Sequence, residues 1–156
     1  MATALTKKFR RPRSGHEFIK GTLSRQLLRF DLNSELDQLH QDESWLKAAG
    51  RSSKTLVKHP DLRIVLIAMK ANSRMHEHTA TARISMQSLG GHLRLHLPER
   101  VVDLPAGYLL VLDQCVPHDV EATEDSAFLL TVSWPPEAET KECKARPKST
   151  IDRNRK

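Results

Sequence analysis

Three histidines carry the chemistry this sequence could perform. His76 and His78 stand two residues apart, and His118 follows forty residues later, behind Val116-Pro117. Neutral imidazole suits Zn, Fe, Cu and Ni, and two near neighbours with one distant imidazole are a common donor set for such a metal. Alternate side chains of a strand share a face, so His76 and His78 converge on one point if their stretch is extended. His76, His78 and His118 are therefore the expected ligands of a divalent transition metal (Fe, Mn, Zn or Ni), whose open positions would polarise a substrate or activate oxygen. Read without a metal, the same residues are polar groups at the mouth of an apolar barrel. Cys115 could be a soft ligand or a redox-sensitive thiol, and Asp113 and Asp119 could act as acid or base toward a substrate bound nearby. Surface carboxylates explain the two aspartates equally well. Glu77 is expected to face away from its two histidine neighbours. The chain holds no G-x-S-x-G, no phosphate-binding P-loop and no dinucleotide-binding glycine pattern.

The elements that must position these residues are short. Between Asp31 and Lys47 the apolar residues Leu32, Leu36, Leu39 and Leu46 recur at helical spacing, with Trp45 beside the last. Asp31 or Ser34 can cap the start of such a helix and Gly50 can end it. After Gly50 the period changes to that of strands: Thr55–Lys58, Leu62–Met69, Arg83–Leu89, His92–Leu97, Val101–Leu104, Tyr108–Asp113, His118–Ala122 and Ala127–Trp134, separated by Pro, Gly, Asn or charged breaks. Eight short strands predict an antiparallel barrel or sandwich preceded by one helix. In His92–Leu97 the leucines are expected inside, and His92, Arg94 and His96 outside in water. Pro135-Pro136 cannot extend a central strand. The expected layout is a basic flexible segment over 1–30, a helix packed on the barrel over 31–50, the barrel over 51–136 and a basic flexible tail over 137–156.

Length and charge agree with one domain. The chain has 156 residues, 38% of them hydrophobic and 4% aromatic, enough for one core with tails. Its longest apolar run, Ile64 to Met69, falls far short of the roughly 20 residues of a membrane-crossing helix. The formal charge of +6 lies at the ends: residues 1–30 carry net +7, residues 137–156 net +3 and residues 31–136 net −4. A nucleic-acid-binding domain needs a basic face on its folded part. Nucleic acid is therefore expected to bind only non-specifically, through runs such as Lys7–Arg13. An Arg-rich, acid-poor start is also one property of organelle transit peptides. Cys115 and Cys143 form neither a disulfide framework nor a C-x-x-C pair, which implies a reducing, intracellular setting and a cytoplasmic protein.

From Leu62 to Trp134 the chain resembles the cupin family, small β-barrels of the jelly-roll type. The run Pro105–Val120 looks like the second cupin motif without a gap, with Gly107 and His118 matching. Tyr108, Asp113 and Cys115 stand where cupins usually have Asp, Pro and Gly. Ser126–Trp134 looks like the family's last strand. The first cupin motif can be laid on this sequence in two frames. In one, His76 and His78 are the histidine pair, Arg83 falls on the glutamate position, Lys70 on the opening glycine and Gly90 closes the motif. In the other, Asn72 replaces the opening glycine, His78 is the first histidine, Ala80 and Ile84 take the second-histidine and glutamate positions, and Gly91 closes. Asn tolerates left-handed turns better than other non-glycine residues, and a buried Arg83 would repel a metal, so physical chemistry favours the second frame. The resemblance implies an all-β, single cupin-like antiparallel β-barrel that binds a small molecule at its mouth, and it implies a homodimer. With a metal the implied chemistry is oxidation or isomerisation; with an empty, degraded site it is non-catalytic ligand sensing.

Overall fold

The computed structural model describes residues 27–46, 50–136 and 142–143. The two flexible ends expected from sequence fall almost wholly outside them. Helix α1 (Leu32–Gln41) starts where the Asp31 carboxylate accepts the backbone N–H of Asn33 at 3.1 Å and of Ser34 at 3.4 Å. The expected single helix is interrupted at Asp42, whose backbone is extended, and resumes as the short α2 (Glu43–Leu46).

Nine strands follow: β1 (Arg51–Lys58), β2 (Leu62–Met69), β3 (Arg74–His78), β4 (Arg83–Gly90), β5 (His92–His96), β6 (Val101–Pro105), β7 (Leu109–Leu112), β8 (His118–Ala122) and β9 (Ser126–Ser133). The strand that the eight-strand reading lacks is β3, where a single apolar residue, Met75, sits among charged and histidine side chains. All pairings are antiparallel, in a five-stranded sheet ordered β1-β2-β9-β4-β7 and a four-stranded sheet ordered β3-β8-β5-β6.

The inward residues of both sheets form one core that includes Met69, Met86, Leu93, Leu95, Val120 and Phe128. On the other side of the five-stranded sheet, Leu39 of α1 packs on Leu66 and Ala68, with Leu36 and Trp45 around them. The helix thus spends its apolar stripe on its own barrel. Lys54 on β1 ties it down through Glu35 and, at 3.0 Å, Gln38.

Outside the smaller sheet, His92, Arg94 and His96 face outward as their parity requires, yet they are half-buried and paired. His92 Nε2 lies 3.0 Å from Asp103 and His96 Nε2 lies 2.8 Å from Glu121, while Arg94 Nε approaches Asp103 at 3.4 Å. Simple solvation is corrected to a set of cross-strand polar contacts, because facing strands bring Arg94 and the two imidazoles within reach of Asp103 and Glu121. Hydrogen bonding from His92, with Arg94 adding to it, holds the Asp103 carboxyl below the usual carboxylate range.

Two glycines adjacent in sequence make very different demands. Gly91 has φ +72°, and a Cβ there would overlap Asp125 O and the Ser126 hydroxyl and lie 2.7 Å from Ser126 Cα. Gly90 has nothing within 4 Å of such a Cβ. Gly91→Ala is therefore expected to cost more than about 2 kcal/mol in urea unfolding, from strain plus overlap, and Gly90→Ala less than about 1 kcal/mol. Equal effects at the two positions would contradict the register described here.

Candidate functional site

The site is built on one irregular strand pair. In β3–β8, Met75 pairs with Val120 and His78 with His118, so three steps on β3 match two on β8. The extra residue is a β-bulge, which shifts the side-chain alternation by one. Val120 and His118 are both inward on β8, and the bulge brings Met75 and His78 inward opposite them. His76 and Glu77 occupy the bulge and are exposed. The convergence expected of His76 and His78 assumed an unbroken pleat, and the bulge interrupts that pleat.

His78 and His118 meet with ring centroids 4.4 Å apart and planes tilted by 58°. They border a cavity of about 180 Å3 whose other walls, among the described residues, are apolar, including Met75, Ala80, Ile84, Met86, Phe128 and Leu130. His118 is 2% exposed, whereas His78 is open to solvent at the mouth. His118 Nδ1 lies 2.8 Å from the carbonyl of Val116, and His78 Nδ1 lies 2.9 Å from the carbonyl of His76. His76 thus touches the site through its backbone, while its side chain does not line the cavity. Burial pushes the His118 imidazole below its ordinary pKa, with the neighbouring His78 acting in the same sense and the Val116 carbonyl and Asp119 opposing it.

The remaining candidates find other partners. Asp119 points away from the cavity and takes a two-point ion pair from Arg74, with Nε at 3.1 Å and Nη2 at 2.6 Å, which raises the Arg74 pKa further. Asp113 pairs with Arg83 at 3.2 Å on the surface. Both aspartates are thus corrected from candidate acid–base groups to ion-pair partners.

Cys115 is joined to Cys143 by a disulfide, which corrects the expectation of two separate thiols. Their separation of 28 residues in sequence carries no pairing signal, because only folding brings the C-terminal segment to the β7–β8 loop. Both sulfur-bearing residues adjoin the cavity wall: the Cys115 N–H donates to the Ala80 carbonyl at 2.8 Å, and Cys143 Sγ lies 3.6 Å from the same oxygen. Neither cysteine is the free thiol that a soft metal ligand requires. The ground for inferring a reducing compartment goes with it.

The geometry follows the second of the two frames. Asn72 is left-handed at φ +64° and Gly91 at φ +72°. His78, Ala80 and Ile84 line the cavity with His118, while Arg83 is outside. Of the four positions at which the cupin resemblance implies metal donors, two hold imidazole, one a methyl group and one an isobutyl-sized hydrocarbon. A catalytic zinc site has three protein ligands, and among the described residues no group of three His, Cys, Asp or Glu is placed to hold a metal. The residues present do not fit such a centre. Sequence reasoning missed Met75 as a wall of the site; the adjacent polar pair His76-Glu77, which an unbroken strand would send to opposite faces, is the one signal of a bulge there.

No protein-family model matches the chain, and no curated protein matches it. Solved structures do. A conserved protein of unknown function from Streptococcus pyogenes is similar at 22% identity and TM-score 0.54, over 58% of this chain and 79% of that one. A cupin superfamily protein from Desulfitobacterium hafniense is similar at 14% identity and TM-score 0.53, over 55% of this chain and 78% of that one. Salicylate 1,2-dioxygenase (G106A mutant) from Pseudoaminobacter salicylatoxidans gives TM-score 0.60 at 14% identity, over 67% of this chain and 34% of that one. At such identities the likeness establishes the fold. Among the described residues no helix is long and apolar enough to cross a membrane.

A pH dependence follows from the buried imidazole. Unfolding returns His118 to water, where it takes up a proton near 6.5. Its contribution to stability is complete above that pH and is lost as the pH falls from there through the lower folded-state value. Between about pH 7.5 and about pH 5.5 the wild-type chain should lose more unfolding free energy than His118→Gln, measured by urea titration. An equal loss in both would show that His118 is not held neutral by burial.

Proposed function

With a cupin fold as the premise, we propose that this protein is a non-catalytic binding module that takes a small, largely apolar molecule into the barrel cavity without a metal. The observation that carries this reading is the identity of the walls: Ala80 and Ile84 stand where the resemblance implies donors, and hydrocarbon surrounds the two imidazoles. A cavity of about 180 Å3 is of useful size, since an engineered apolar cavity of roughly 150 Å3 in another protein stays dry and binds benzene. Burying such a ligand's apolar surface supplies the driving force, on the order of 25 cal/mol per Å2 removed from water. Oxidation or isomerisation by a metal centre has no donor set to rest on among the described residues, so no reaction step is assigned. The module would act as a sensor or carrier whose output is occupancy.

The test is ligand-induced stabilisation. Benzene-sized apolar molecules should raise the melting temperature of the full chain in a concentration-dependent way. The effect should survive prior treatment with a chelator and be lost when Met86→Trp fills the cavity. No compound should be turned over. Stabilisation abolished by the chelator, or conversion of a stabilising compound, would contradict the reading.

A further inference from the structure

The chemical class of the ligand is written in the tautomers of His78 and His118, an inference that rests on the binding function proposed above. A carbonyl oxygen only accepts hydrogen bonds. Each Nδ1 that approaches one, His118 at Val116 O and His78 at His76 O, must therefore carry the proton of the neutral ring. The other nitrogen, Nε2, is then a bare acceptor in both rings. Neither Nε2 has a hydrogen-bond partner among the described residues, and the two rings stand side by side, 4.4 Å between centroids, at one end of an apolar cavity. Among the described residues, the cavity wall thus offers hydrocarbon everywhere except for a pair of acceptors.

We infer that the site selects a neutral molecule with a compact apolar body, about the size of one six-membered ring, and a single O–H or N–H donor at one end, as in a phenol or a small alcohol. A carboxylate of the same shape meets two lone pairs and no donor, and it pays to leave water for an apolar cavity. A pure hydrocarbon fits the walls but leaves the nitrogens unpaired. A cavity without acceptors would rank the hydrocarbon above the phenol, because the phenol hydroxyl would lose its water and gain nothing. The order of affinities therefore reads out the acceptors themselves.

Phenol, toluene and benzoate are near-isosteric probes, to be titrated against the full, disulfide-intact chain at about pH 8, above the ordinary imidazole value. Phenol should bind about three- to tenfold more tightly than toluene, the effect of one net hydrogen bond, and benzoate more weakly than either. In His118→Leu, with folding checked by circular dichroism, toluene binding should persist and the preference for phenol should disappear. His78→Leu, at the more exposed position, should weaken the preference without disturbing the core. Toluene or benzoate matching phenol in the wild type would overturn the inference while leaving cavity binding intact. Failure of all three to bind would overturn the binding function and this inference with it.

Discussion

The pairing of His78 with His118 across a bulged strand is the constraint from which the rest of the site follows. One extra residue on β3 between that pair and Met75–Val120 decides which side chains look inward. Without it, the register set by Met75–Val120 would place His76 opposite Asp119 and Glu77 opposite His118, so Glu77 in place of His78 would face the cavity. With it, one imidazole from each strand meets at the mouth, Met75 joins the wall, and His76 contributes a carbonyl. That carbonyl and the carbonyl of Val116 then fix the tautomers. Backbone geometry thus sets the chemistry of two side chains without any charged partner in the cavity.

The two faces of the small sheet handle charge in opposite ways. Outside, Arg94 pairs with Asp103 and Arg74 with the buried Asp119 across strands, and His92 and His96 lie within hydrogen-bond distance of Asp103 and Glu121. Inside, among the described residues, His118 meets hydrocarbon, His78 and the Val116 carbonyl. Its neutral form is favoured there by burial. The same strand β8 therefore holds Asp119 in a two-point contact with Arg74 and His118 held toward neutrality, one residue apart. The Cys115–Cys143 disulfide sits where these layers meet the β7–β8 loop, next to the Ala80 carbonyl and just ahead of the Val116 carbonyl that orients His118.

Much of the fold could be read from periodicity and turn chemistry. Clean alternation in β5 gave its faces, Asp31 its role as a cap, and the Pro105–Val120 run the place of His118. Asn72 and Gly91 marked the frame because left-handed backbone restricts residue choice. What could not be read is non-local. A bulge depends on the partner strand, so nothing within Arg74–His78 alone fixes which histidine turns inward. The disulfide closes over 28 residues and depends on where the C-terminal segment is carried. Asp113 and Asp119 have the chemistry of acids or bases, but their partners Arg83 and Arg74 are distant in sequence and reach them only through strand pairing.

The most direct test of the account is the titration of His118, followed by imidazole NMR in His78→Ala and His76→Ala. Removing the His78 ring takes away a neighbour that depresses the His118 pKa and opens the mouth to water, so the His118 pKa should rise in that variant. Replacing the His76 side chain leaves the backbone carbonyl in place and should leave the His118 titration where it was. The reverse result, a shift with His76→Ala and none with His78→Ala, would mean that the strand is paired in the other register and that the site described here does not exist.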